Sequence, residues 1–118
     1  MPGLETPLQI IQQPLGQSVS IGATATFTVV VVGSGVLAYQ WQTTDHDIAL
    51  ASGFHPLPGA EIDGFWTIVG ATSASYTTPT LSASENGAAF QCLISNTLTT
   101  PQILFSEAMT IPAVLLVH

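Results

Sequence analysis

Apolar and polar residues alternate in short runs along most of this chain. Over residues 23 to 29, threonines alternate with Ala25, Phe27 and Val29. Successive side chains of a β-strand point to opposite faces, so this pattern predicts a strand with these three residues on one face. We therefore expect that face to be buried.

Two more alternating segments predict core strands. Residues 36 to 43 and residues 88 to 95 each set aromatic or aliphatic side chains on one face and mostly polar or small ones on the other. The side chains expected on the inward faces are Leu37, Tyr39, Trp41, Phe90, Cys92 and Ile94.

Shorter segments complete an all-β prediction. No stretch has the sustained i, i+3, i+4, i+7 spacing of a helix, and only a helical turn is expected, at residues 81 to 85. The further strands are expected near residues 8 to 12, 65 to 69, 73 to 78 and 103 to 111. About seven or eight antiparallel strands separated by glycine, proline, serine and asparagine predict a β-sandwich.

Two segments depart from the alternation. Residues 44 to 64 lose it and collect acidic residues, which predicts a long acidic insertion in loop conformation. After a core of residues 8 to 111, residues 112 to 118 form an apolar extension whose hydrophobic run is continuous, which predicts burial on both faces or contact with a neighbour. The predicted assembly contact consists of Val114, Leu115, Leu116 and Val117.

Composition limits the classes of partner. A chain of 118 residues has the length of one domain, so residues 1 to 118 are expected to form a single unit. It has no lysine or arginine against seven acidic residues, a formal net charge of −7. Because nucleic acids and anionic membrane surfaces are bound mainly by cationic side chains, neither is an expected partner. No apolar run approaches the roughly 20 residues of a membrane-spanning helix.

Several motifs are similar to those of one family. They are Gly22-Ala23-Thr24-Ala25-Thr26-Phe27-Thr28-Val29, Tyr39-Gln40-Trp41-Gln42, Val69-Gly70-Ala71-Thr72-Ser73-Ala74-Ser75-Tyr76-Thr77, Glu85-Asn86-Gly87-Ala88-Ala89-Phe90-Gln91-Cys92 and Ser106-Glu107-Ala108-Met109-Thr110-Ile111. Together with their flanks, residues 8 to 43 and 66 to 111, they resemble bacterial and phage immunoglobulin-like repeats related to the intermediate type.

This resemblance implies an immunoglobulin-like β-sandwich in which the second and sixth strands face each other beside Trp41. The family often joins these strands by a disulfide, but Val29 stands opposite the single cysteine, Cys92, so packing alone must hold the sheets. Phe90 stands where many relatives carry a tyrosine whose hydroxyl binds the backbone. The insertion at residues 44 to 64 has no counterpart in the simple repeats.

The insertion holds the residues most suggestive of chemistry. Asp45-His46-Asp47, with His55, Glu61 and Asp63 further along, resembles a set of calcium or zinc ligands, but neither EF-hand nor zincin spacing is present. Neither a nucleophile motif nor a serine, histidine and acid set is recognisable. The sequence therefore predicts no enzyme activity, no metal and no cofactor.

Aromatic residues in and beside the insertion suggest recognition instead. An exposed aromatic side chain there can stack on a sugar or anchor a protein, and the alternative is that it packs the loop onto the sandwich. The predicted recognition loop consists of Asp45, His46, Asp47, Phe54, His55, Phe65 and Trp66.

The resemblance implies a structural or adhesive display module. The first hypothesis is a decoration or appendage protein on the surface of a phage virion, held in a capsid or tail assembly, that binds host surface glycans weakly. The second hypothesis is an extracellular repeat of a secreted bacterial surface adhesin or carbohydrate-active enzyme.

Overall fold

The computed structural model describes residues 8 to 33, 35 to 53, 64 to 98 and 104 to 118. Within these ranges the chain forms ten strands, a short α-helix α1 (His46–Ala51) and a 3-10 turn (Ala83–Glu85). The strands are β1 (Gln9–Gln12), β2 (Gln17–Val19), β3 (Thr26–Thr28), β4 (Val30–Val32), β5 (Val36–Thr43), β6 (Trp66–Thr67), β7 (Ser75–Thr77), β8 (Ala89–Leu98), β9 (Leu104–Met109) and β10 (Ala113–Val117).

The strands form two facing layers. The larger layer has the order β2-β10-β8-β5-β6, with β9 paired to the second half of β8. In the other layer β1 pairs with β4 and β3 pairs with β7, and β3 and β4 follow each other directly in the chain. The rings of Phe27 and Phe90 stack at 4.6 Å, one from each layer, so the core lies between the two layers.

Most of the predicted inward residues occupy that core, whereas Leu37 is half-buried and Tyr39 packs against the core from a partly buried position. Phe27, Trp41 and Phe90 have no exposed surface, and Val29, Cys92 and Ile94 are buried with them in one cluster. Trp41 also satisfies its polar group, because its indole N–H donates to the backbone carbonyl of Ser73 at 2.8 Å. The prediction of an all-β chain whose sheets are held by packing around Trp41 is confirmed.

The insertion is not a continuous loop, because α1 lies within it. The Asp45 side chain accepts a hydrogen bond from the Ile48 backbone N–H at 2.9 Å and so caps the first turn. Gly53 follows the helix with a φ of 103°, which suits a residue without a β-carbon. Ile48 and Ala49 face the core and dock the helix. The helix was not predicted, and residues 54 to 63 of the insertion lie outside the described ranges.

The C-terminal residues are also not an extension from the sandwich. In β10 buried and exposed side chains alternate, with Ala113, Leu115 and Val117 inward. β10 lies inside the larger sheet, antiparallel to β8 and parallel to β2, so the expectation of only antiparallel pairing was wrong. Leu115 and Val117 therefore contact their own core, and only Val114 and Leu116 remain available for the predicted assembly contact.

Gly16 and Pro112 determine where β10 lies and where it begins. A β-carbon at Gly16 would lie 3.0 Å from the Val114 carbonyl oxygen, so glycine lets β2 approach β10. β9 and β10 are separate because Pro112 cannot donate to the ladder. At this break the Thr110 hydroxyl accepts a hydrogen bond from the Cys92 N–H at 2.8 Å, which keeps β8 attached.

Candidate functional site

The acidic start of α1 has a local structural role. Asp45 is half-buried, and its carboxylate is the acceptor that caps the helix. Burial raises the pKa of Asp45, while the hydrogen bond from the Ile48 N–H acts in the opposite direction. Asp47 lies in the first turn and is exposed. Of these two predicted recognition residues, only Asp47 presents a side chain that the helix cap does not use.

Two other predicted recognition residues meet. The ring of His46 lies edge-on to Trp66, with centroids 4.9 Å apart and an interplanar angle of 69°. Trp66 is held in place because β6 pairs with β5, where Trp66 lies opposite Thr43. Phe65, beside it in the chain, is half-buried. Phe54 and His55 lie outside the described residues.

An open cleft of about 440 Å³ lies between α1 and β7. Side chains that line it include Ile48, Ser52, Ile68, Ala71, Tyr76 and Thr77. Ser52 fixes one wall, because its hydroxyl donates to the Ala49 carbonyl at 2.6 Å and accepts from the Val69 N–H at 2.8 Å. The sequence does not signal this cleft, since it depends on where the unpredicted helix docks.

The cleft is lined by apolar and hydroxyl-bearing side chains, and the phenol of Tyr76 among them is not readily ionised. Burial raises the pKa of Tyr76 to about 12, and the Asp45 carboxylate adds to the effect. The Tyr76 ring packs near Trp41 and Phe90, with centroids 6.4 and 6.0 Å away. Tyr76 therefore stays neutral near pH 7, and the site offers hydrogen bonds and apolar contact rather than a nucleophile.

The second candidate surface is the outer face of the larger sheet. Its side chains include Ala38, Gln40, Gln42, Gln91, Leu93, Met109, Val114 and Leu116. At its centre Gln42 and Gln91 are buried, each 8% exposed, and a side-chain hydrogen bond of 2.9 Å joins them. Val114 and Leu116 are 48% and 50% exposed, and Met109 is 44% exposed. Among the described residues of this face, only Glu107 is charged.

The described residues offer little for catalysis or metal binding. They contain no group of three or more histidine, cysteine or acidic side chains placed to hold a metal ion. Burial raises the pKa of the Cys92 thiol to about 12. A His118 ring nitrogen lies 3.1 Å from the Ser18 hydroxyl, at an exposed position where no acidic partner to the histidine is described. None of the helices in these ranges has the length and apolar character needed to cross a membrane.

Comparison with known proteins gives structural neighbours but no sequence family. No protein-family model matches the chain, and no curated protein matches it. A chimeric titin Z1Z2 carrying a KLER peptide from decorin is similar in structure, with a TM-score of 0.54 and 22% identity over 97% of this chain and 96% of that one.

Two other similar structures are larger. The N-terminal Ig1-2 module of the Drosophila receptor protein tyrosine phosphatase DLAR matches 95% of this chain with a TM-score of 0.53 and 17% identity. Dpr11 IG1 bound to DIP-gamma IG+IG2 matches 97% with a TM-score of 0.54 and 19% identity. This chain spans 49% of each matched chain. At these identities the likeness shows the fold alone, which is an immunoglobulin-like β-sandwich.

Proposed function

We propose that this chain is a non-enzymatic structural and adhesive module that attaches to a protein assembly through the outer face of its larger sheet. The observation that carries the proposal is the exposure of Val114, Leu116 and Met109 on a face where, among described residues, only Glu107 is charged. A face of this kind loses little hydration of charged groups when it is covered.

The overall charge of the chain supports an apolar mode of attachment. With seven acidic residues and no lysine or arginine, the chain can contribute no cationic arginine or lysine to an interface. Two copies repel each other at long range, so association between copies must come from apolar contact and hydrogen bonds. One structural neighbour, Dpr11 IG1, is bound to another immunoglobulin-domain protein, which agrees with a protein partner.

The native setting that we propose is the surface of a phage virion, where the chain is a decoration or appendage of the capsid or tail. An immunoglobulin-like repeat of a secreted bacterial adhesin or carbohydrate-active enzyme is the alternative. The surrounding genes distinguish the two. Neighbouring capsid or tail genes would support the virion, and a longer reading frame with further repeats would contradict it.

Weak binding of host surface glycans is the second part of the proposal. Trp66 with His46 against its ring, and Phe65 beside it, supply aromatic surface of the kind that stacks on sugars. On an array of bacterial surface glycans presented at high density, His46→Ala should reduce binding of the chain. Equal binding by His46→Ala and the unchanged chain would contradict this part of the proposal.

Cosedimentation with virions assembled without the chain tests the attachment face. Replacing both Val114 and Leu116 by serine should weaken binding at least about tenfold, because apolar contact is lost. The matched control replaces Val30 and Val32 by serine, since these residues are 41% and 39% exposed in β4 of the other layer.

The salt dependence of the same binding separates apolar contact from charge attraction. Binding of the unchanged chain should persist in about 1 M NaCl, where charges are screened beyond about 3 Å. The proposal is wrong if both double variants bind like the unchanged chain, or if salt releases the chain.

A further inference from the structure

The strand β7 uses only one of its two edges among the described residues. It pairs antiparallel with β3, and no other described strand pairs with it. The backbone hydrogen bonds that flank this pairing run from Val29 N–H to the Ala74 carbonyl at 2.9 Å and from Thr78 N–H to the Ala25 carbonyl at 2.8 Å. They fix which residues of β7 bind β3.

The regular alternation of hydrogen bonds in an antiparallel pair then shows which backbone groups of β7 point away from β3. Bonded pairs alternate with non-bonded pairs, so Ser75 and Thr77 lie at non-bonded positions. Their side chains agree, because the hydroxyls of Thr77 and Thr26 and those of Ser75 and Thr28 each lie 2.8 Å apart, as in the closer non-bonded pairs. The N–H and C=O groups of Ser75 and Thr77 therefore point away from β3.

Those groups border the cleft. Ser75, Tyr76 and Thr77 line it, and no residue of β3 does, so the cleft runs along the other edge of β7. The cleft is also lined by two apolar side chains, Ile48 of α1 and Ile68. The site thus combines four backbone hydrogen-bonding groups with a depression for one apolar side chain, which is what an added strand requires.

Charge indicates which strand would fit. Asp45 acts electrostatically on Tyr76, and Asp47 stands exposed on the helix that forms the opposite wall. Since the chain contains no lysine or arginine, nothing of that kind offsets these carboxylates. A second copy of this chain would bring further negative charge, whereas a cationic segment would be attracted.

We propose that the free edge of β7 binds an extended, cationic peptide segment of a partner protein, which adds to the smaller layer as a further strand. One apolar side chain of the segment enters the cleft over Ile48 and Ile68, and its flanking lysines or arginines lie near Asp45 and Asp47. This surface is separate from the outer face of the larger sheet and does not depend on that face binding anything.

The test measures binding of fluorescein-labelled Lys-Val-Lys-Val-Lys amide to the full chain by fluorescence anisotropy. Thr77→Pro removes an N–H that the β3 ladder does not use, and proline is tolerated where an edge N–H faces outward. Thr77→Val is the matched control, because it loses the same hydroxyl contact with Thr26 but keeps the N–H. Thermal unfolding of each variant checks that it is folded.

We expect Thr77→Pro to weaken binding at least about tenfold, through a lost donor and a ring in the path of the peptide, and Thr77→Val to bind like the unchanged chain. A peptide methylated on alternate backbone nitrogens should also bind at least about tenfold more weakly, which tests the same hydrogen bonds even if Thr77→Pro does not fold. Glu-Val-Glu-Val-Glu amide should not bind.

Three results would overturn the proposal. The first is no binding of the cationic peptide to the unchanged chain, and the second is equal binding of the methylated and unmethylated peptides. The third is dimerisation of the unchanged chain in sedimentation velocity that Thr77→Pro abolishes, because the occupant of the edge would then be a second copy.

Discussion

At the scale of single residues, this core replaces a covalent link with packing and shared hydrogen bonds. Cys92 and Val29 are both buried in the core cluster, and the cysteine forms no disulfide. The hydroxyls of Thr78 and Thr110 accept from the backbone N–H groups of Ala25 and Cys92. In the described residues no buried side-chain nitrogen or oxygen lacks a partner, so burial of these polar groups costs little.

The Cys92 thiol should react only when the protein opens. Its pKa is raised to about 12 by burial, so near pH 8 the reactive thiolate is scarce as well as inaccessible. We expect labelling by Ellman's reagent to be at least about 100-fold slower in the native protein than in concentrated urea. Thr24→Cys provides the control, because residue 24 is exposed and its thiol should react at once. Equally fast labelling of Cys92 and Cys introduced at Thr24 would show that the core is open.

At the scale of elements, alternation located the long strands but not the breaks in them. Phe27, Trp41 and Phe90 were placed correctly because a period of two residues is a property of the strand itself. The break before residue 112 was predicted, but the pairing of β10 with β2 and β8 was not, because it depends on long-range contacts that the local pattern does not report.

The helix α1 was missed although a local signal existed. Asp45 stands three residues before Ile48, a run of helix-forming residues follows, and Gly53 ends it, which is a weak helix signature. A helix of six residues has little stability of its own, so its docking through Ile48 and Ala49 decides the outcome. The cleft beside it was unpredictable for the same reason, and so was the meeting of His46 with Trp66.

The 3-10 turn should give the protein a pH-dependent component of stability. Glu85 accepts hydrogen bonds from the Ser84 hydroxyl and from the Ser82 N–H, which lower its pKa. Because the folded pKa lies below that of the unfolded chain, about 4.3, this stabilisation is present above that pH and is lost as the pH falls through the folded value.

Urea unfolding of Glu85→Gln at several pH values tests this turn. The free energy of unfolding should differ more between the unchanged chain and Glu85→Gln at neutral pH than near pH 2, where the carboxyl is protonated in both states. Ser84→Ala, which removes the first cause of the shift, should reduce the pH dependence in the same direction. Parallel curves for all three proteins would contradict the assignment.

At the scale of the whole molecule, one sandwich presents different surfaces on different sides. Among the described residues, the outer face of the larger sheet has a single charged side chain, Glu107, whereas Tyr76 of β7 lies within the electrostatic reach of Asp45. Both surfaces depend on the two layers closing over one core. The strand β10 contributes to both the core and the outer face, because Leu115 is buried between the layers and its neighbour Leu116 is exposed on the outer face.

Urea unfolding of Leu115→Ala and Leu116→Ala tests that arrangement most directly. Leu115 has no exposed surface and Leu116 is 50% exposed, so the two adjacent leucines should behave differently. Leu115→Ala should lower the free energy of unfolding by about 2–5 kcal/mol, because it leaves a cavity in the core, and Leu116→Ala by less than about 1 kcal/mol. Equal losses, or a larger loss for Leu116→Ala, would contradict a sandwich closed by β10.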